Sequence, residues 1–271
     1  GKMRIYISAD IEGVTNVTDW TETERIDGKD YEWAREQMTR EVSAACLGAL
    51  EAGADEIVVK DSHDSALNLI PDKLPRGVKL IRGWAASTDS MMALVDRGFD
   101  LAFMVGYHSE GYSNKNPLAH TMTHARLMAT KLNGNLMSEM DNNALICANH
   151  GVPIGLIAGD KALCEKAEAE FPGVCVAAVK EGIGGATFSI HPLDACDLIK
   201  EQAYEAVKRL QRGEIKCIDM PEHYELEFMF KEHKDASNAA NYIGAELVDP
   251  HTVVFRCDSF KEYITAYDFM H

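Results

Sequence analysis

The stretch DLAFMVGYH, residues 100–108, carries no charge between its aspartate and its histidine. A strand with one face in water alternates apolar with polar side chains, whereas a strand covered on both faces reads as a continuous apolar run. IVVK (57–60) and PIGLIA (153–158) have the same character, and MRIYI (3–7) opens the chain with another strand pattern. Between these runs lie segments with helical spacing. YEWAREQMTREVSAACLGALEAG (31–53) ends on a glycine, SMMALVDRG (90–98) is a short helix pattern, and EMDNNALICANHG (139–151) and KALCEKAEAEF (161–171) follow. VKLIRG (78–83) and VCVAAVK (174–180) add further strands. Strands alternating with helices define an α/β fold with a mostly parallel sheet and flanking helices.

Two departures from this rhythm stand out. ATKLNGNLMS (129–138) places Asn133-Gly134 between two short strand patterns, which is a hairpin signal. From about residue 191 the pattern changes. DACDLIKEQAYEAVKRLQRG (194–213) is helical, YELEFMFK (224–231) alternates as a half-buried strand and SNAANYIG (237–244) reads as a short helix. HTVVFRC (251–257) is a strand and FKEYITAYDFM (260–270) a closing helix. The expected organisation is an α/β domain over 1–190 and a smaller α+β domain over 191–271.

The chain has 271 residues and a formal net charge of −16. With no basic stripe to offset phosphate repulsion, nucleic acid is not an expected partner. No apolar run approaches the roughly 20 residues needed to span a bilayer. No basic-then-apolar signal segment opens the chain, so the expected address is cytoplasmic. The seven cysteines form no CxxC pair, and Cys46, Cys147, Cys164 and Cys175 fall inside apolar patterns, as reduced small hydrophobes do.

In open parallel sheets, ligands bind beyond the carboxyl ends of the strands. After the first strand come Asp10 and Glu12, two positions apart and followed by Gly13. After IVVK comes Asp61-Ser62-His63, and after LAFMVGY comes His108. Like charges so close repel, so the first pair either faces water or flanks a cation. Three strand ends carrying carboxylate or imidazole favour the cation. Oxygen and nitrogen donors without cysteine suit Zn²⁺, and Mn²⁺ or Co²⁺ fit the same donors. Glu139 opens a helix, where a carboxylate is also at home without a metal. His120 and His124, in AHTMTH, fall in a polar loop, and the remaining six histidines have no comparable context.

SADIEG (8–13), DSH (61–63), GYHSEG (106–111), LAHTM (118–122) and MSEMDNNA (137–144), in this order and spacing, resemble the zinc-dependent D-aminopeptidases of the bacterial dipeptide-transport type. The resemblance runs through most of the chain up to AAVK and is weaker in the last eighty or so residues. It implies two zinc ions per subunit, held by Asp10, Glu12, His63, His108 and Glu139, with His120 as the catalytic histidine. It also implies hydrolysis of the N-terminal residue, a D-amino acid, from short peptides or amides by metal-activated water. Assembly into a homo-oligomer, a ring-stacked decamer in relatives, is implied as well.

His120 would then serve as general acid/base, as oxyanion stabiliser or as nucleophile, and proton transfer is favoured because an imidazole attacking an amide beside a ready hydroxide gains little. Two other readings stay open at this point. DIEG loosely resembles the Asp-x-Asp loop of magnesium-dependent phosphohydrolases, which would use oxygen ligands only. The acidic pair could also belong to a non-catalytic, metal-stabilised ligand-binding protein.

Overall fold

The computed structural model describes all residues, 1–271. In chain order its first half comprises β1 (Arg4–Ala9), α1 (Tyr31–Glu51), β2 (Glu56–Asp61), β3 (Lys79–Ile81), β4 (Leu101–Tyr107), β5 (Leu127–Leu132) and β6 (Asn135–Leu136). There follow α2 (Glu139–Asn149), β7 (Ile154–Asp160), α3 (Lys161–Glu170), β8 (Cys175–Ile183), β9 (Ala186–Ser189) and α4 (Pro192–Gln211). The chain closes with β10 (Tyr224–Phe230), α5 (His233–Ala239), β11 (Ala245–Asp249), β12 (Thr252–Cys257) and α6 (Phe260–Met270).

Seven strands form one sheet in the order β3-β2-β1-β4-β7-β8-β9. All neighbours are parallel except β9, which returns antiparallel along β8. Side chains alternate between the two faces of the sheet. Ile5, Ile7, Ala9, Phe103 and Val105 share a core with α1 and α4, while Tyr6, Ala102, Met104 and Ile157 share another with α2, α6 and the second sheet. Both faces are therefore covered, which explains why β4 is buried along its whole length. Register places Ala9 beside Asp61 of β2 and beside Val105 of β4, so the three strands end nearly level. Whatever follows them emerges at one edge.

The second sheet has the order β11-β12-β10-β5-β6 and is antiparallel throughout. Asn133 and Gly134 both have positive φ, 52° and 84°, the left-handed pair that a tight hairpin needs between β5 and β6. Along β10, Tyr224, Leu226, Phe228 and Phe230 are buried and alternate with more exposed residues. The expected mostly parallel α/β fold with a smaller α+β part is thus observed.

Three expectations change in detail. Residues 90–98 form a 3₁₀ turn at Ser90–Met92 rather than a helix, because Ser90 and Leu94 take positive φ, 47° and 71°, which interrupts the helical backbone. The short helix expected at 237–244 lies earlier, at His233–Ala239. The boundary expected at 190/191 falls between β9 and α4, yet neither core respects it. Strand β5 belongs to the second sheet, and Ala195, Ile199, Ala203 and Val207 of α4 are buried with α1 in the first core.

Candidate metal centre

Chain direction in β1, β2 and β4 brings Asp10, Glu12, His63 and His108 together at the level edge. The loop after β1 turns back under β4: Asp10 donates its N–H to Val105 O and Gly13 to Gly106 O, both within 2.9 Å. A Cβ on Gly13 would stand 1.7 Å from the Tyr107 carbonyl oxygen, so only glycine permits this approach. Ser138 caps α2 in a reciprocal capping box with Asp141, and the next residue, Glu139, projects its carboxylate towards the same place. His120 arrives on the loop between β4 and β5. All six residues are buried.

The inner nitrogens and oxygens are spaced uniformly. His63 Nδ1 lies 3.2 Å from Asp10 Oδ1 and 3.2 Å from Glu12 Oε1. His108 Nε2 lies 3.4 Å from Asp10 Oδ2 and 3.3 Å from Glu139 Oε2. His120 Nε2 lies 3.3 Å from Glu12 Oε2 and 3.4 Å from Glu139 Oε2. These separations exceed those of charge-assisted hydrogen bonds. They equal the edge of a tetrahedron, about 3.3–3.4 Å, drawn around a zinc ion with ligands at about 2.0–2.1 Å. Three groups of metal-ligand type result: Asp10–Glu12–His63, Asp10–His108–Glu139 and Glu12–His108–His120. The first two share Asp10, which offers a different oxygen to each.

Hydrogen bonds on the outer side of each ring fix what faces inward. His63 Nε2 meets the Thr23 carbonyl at 2.7 Å, His108 Nδ1 the Ser109 carbonyl at 3.0 Å, and His120 Nδ1 the Leu118 carbonyl at 2.7 Å. A carbonyl only accepts, so each outer nitrogen carries a proton, and in the neutral ring that a metal requires the inner nitrogen turns its lone pair towards the carboxylates. Lone pairs aimed at carboxylate oxygens repel unless a cation lies between them. His108 Nε2 and Glu12 Oε1 are in fact buried without any hydrogen-bond partner. The donor set, its spacing and these orphaned atoms fit zinc.

With no metal between them, the same groups instead draw protons into the cluster. Burial, reinforced by the Glu12 carboxylate, pushes Asp10 up to about 7. Burial works against charging His63 and His108, but the facing carboxylates outweigh it and hold both well above the usual imidazole range. Burial and the neighbouring His108 lower His120 instead.

A cavity of about 340 Å³ opens over this cluster, walled by Trp20, Trp84, Met91, Met122 and His124. Trp20 stacks on His124 at 3.9 Å between ring centroids, and His120 stacks on His108 at 4.1 Å. Trp84 donates its Nε1–H to the Asp64 carbonyl at 2.7 Å, and the Lys60 ammonium lies 4.0 Å from its ring centroid. The lining includes five carboxylates, Asp10, Glu12, Glu24, Asp64 and Glu139, and no lysine or arginine. All six expected site residues meet here. Trp20, Trp84 and the Thr23 carbonyl had no signal in the sequence, since a tryptophan in a polar loop reads equally as surface. His124 joins the wall, while His150, His191 and His223 engage Asp89, the α4 N-terminus and Asp258 elsewhere.

A buried cluster of imidazoles and carboxylates at the carboxyl edge of a parallel sheet, beneath an open cavity, defines a metallohydrolase. The family model for the D-aminopeptidases, Peptidase_M55, matches residues 3–269. The D-aminopeptidase of Bacillus subtilis (strain 168) is 30% identical over 271 residues, covering 99% of this chain and 95% of that protein. A solved structure, described as the Zn-dependent D-aminopeptidase DppA from Bacillus subtilis, a self-compartmentalizing protease, superposes with a TM-score of 0.90 at 28% identity, covering 99% and 96% of the two chains. The chain belongs to the D-aminopeptidase family, peptidase family M55.

Proposed function

We propose that this protein is a dinuclear zinc aminopeptidase that removes the N-terminal residue, a D-amino acid, from short peptides or amino-acid amides. The observation that carries the dinuclear reading is the division of Asp10: Oδ1 faces His63 and Oδ2 faces His108. Asp10, Glu12 and His63 would hold one ion, and Asp10, His108 and Glu139 the other. Zinc rather than magnesium is favoured by the two imidazole donors of these sets, His63 and His108, which disfavours the phosphohydrolase alternative. When bound, the ions would supply Lewis-acid polarisation of the scissile carbonyl and acidify a water molecule.

The chain's own groups supply the rest. His120, tethered at Nδ1 and with Nε2 beside Glu12 and Glu139, would take a proton from the attacking water and deliver it to the leaving amine, a role its position supports. A lining rich in carboxylates and free of lysine and arginine suits a substrate that enters by its ammonium end. Assembly into a homo-oligomer is supported by the self-compartmentalizing description of the Bacillus subtilis structure; the decamer is an expectation from the family resemblance alone. No helix is long and apolar enough to cross a membrane.

Zinc analysis of the purified protein together with hydrolysis of matched D- and L-aminoacyl amides tests this reading. Two zinc per chain and turnover of the D-series are expected. One zinc per chain, or preference for the L-series, would overturn the corresponding part.

A further inference from the structure

We infer that Asn116 is the positioning residue for His120, an assignment that rests on the reading of His120 as the proton-transfer group. Asn116 is buried, with 3% of its surface exposed, and its amide makes three hydrogen bonds, two from the nitrogen and one to the oxygen. Nδ2 donates to the Glu12 carbonyl at 3.1 Å and to Asp160 Oδ2 at 3.2 Å. Oδ1 accepts from the Leu118 N–H at 2.9 Å. The Leu118 carbonyl in turn accepts the Nδ1–H of His120. One side chain therefore connects the backbone of Glu12, the peptide that tethers His120, and Asp160, which accepts from the N–H and hydroxyl of Ser109 beside His108. The amide orientation is unambiguous, because both Nδ2 partners only accept and the Oδ1 partner only donates.

The surroundings make this hub rigid. Pro117 follows, and the Asn116 carbonyl accepts from Ala119 N–H at 3.0 Å, closing a turn with Leu118 inside it. Lys180 of β8 donates to the same Glu12 carbonyl and to Val17 O, both at 2.6 Å. The Gly182 N–H holds the Lys115 carbonyl at 3.1 Å, and a Cβ at that glycine would stand 2.3 Å from the same oxygen. The turn carrying His120 is thus seated on β8 and keyed to Glu12 through Asn116. Since Nε2 of His120 must meet a reacting atom beside Glu12 and Glu139, the amide fixes the separation on which proton transfer depends. Misplacement of a reacting group by about 1 Å can cost on the order of 10²-fold in rate.

A double-mutant cycle between Asn116→Ala and His120→Ala, run on the metal-loaded full-length protein, tests the assignment. Asn116→Ala is expected to lose about 10–100-fold in kcat with KM little changed, the range seen when the partner that orients a functional histidine is removed. In the His120→Ala background the same substitution should change kcat by less than about threefold, because nothing remains to position. Co²⁺ titration should give the same stoichiometry in parent and variants. Asn116→Ser retains a hydroxyl able to accept from Leu118 N–H and should recover part of the loss.

An equal loss in both backgrounds, an undiminished kcat, a lost equivalent of Co²⁺, or failure of both Asn116 variants to fold would each overturn the assignment. If His120→Ala itself keeps the parental kcat, the proton-transfer reading falls and this inference falls with it. If His120→Ala is impaired and Asn116→Ala is not, the inference falls alone.

Discussion

Asp10 has one carboxylate and two neighbours that need it, His63 on one oxygen and His108 on the other. Asp10→Ala removes a donor from both sets at once, so bound zinc should drop from two per chain to one or none, read by metal analysis after gel filtration. His63→Ala touches only the first set and should leave the other ion in place. Equal retention of both ions by either variant would refute the division. Gly13 provides a test that involves no ligand. Its Cβ position lies against the Tyr107 carbonyl, so Gly13→Ala forces the loop and β4 apart. It should lower the thermal midpoint and impair zinc binding together, whereas an unchanged midpoint would show that the approach is not as tight as described. At this scale the sequence was informative where chemistry forced the residue type: carboxylate and imidazole at three strand ends need a reason. It was silent on the Thr23 carbonyl and on Asn116, because a backbone acceptor has no residue signature and one asparagine in a loop looks like any other.

Among the elements, α1 contains a charge that its surroundings do not balance. Glu41 is fully buried; Oε2 accepts from Thr15 N–H and Gln37 Nε2, while Oε1 has no partner. Burial pushes its carboxyl from 4.5 up to about 7. The folded state thus holds this proton more tightly than the unfolded chain, and the resulting stability is present below about pH 4.5 and lost as pH rises through about 7. Glu41→Gln removes that titration. The variant should match the parent near pH 4.5 and exceed it by up to about 3 kcal/mol above pH 7, measured as the difference in urea unfolding free energy. A difference independent of pH would refute this account. The longer helices and interior strands of the molecule were legible because period and burial agree along them. The edge strands β9 and β11 were not: β9 has four residues, and four of the five in β11 are exposed, so neither leaves a hydrophobic pattern to read.

For the whole molecule, the change of pattern near residue 190 coincides with the start of α4, and both cores contain residues from either side of it. The sequence signals a new rhythm there because α4 is a long amphipathic helix and β10 alternates. It cannot signal that α4 returns to the first core, since that depends on the small, buried faces of Ala45, Ala49, Ala203 and Ala206 meeting across space. Nor can it signal that the hairpin at 127–136 pairs with β10, some ninety residues later. A fragment ending at residue 190 would therefore uncover the α1 face and leave β5 with only the two-residue β6 as a partner. It would also remove Tyr263, which donates to Asn142 Oδ1 of α2 at 2.7 Å, together with the apolar side chains of β10, β12 and α6 from the second core. Burial of each large apolar side chain contributes about 1.5–3 kcal/mol, against a total stability of only about 5–15 kcal/mol, so losing several at once leaves no margin. The 1–190 fragment, although it contains all six residues of the metal cluster, is expected to be aggregated or to unfold without cooperativity, and to retain no stoichiometric zinc after gel filtration. A soluble fragment that unfolds in one sharp transition and keeps its zinc would show instead that the N-terminal part is a self-sufficient domain.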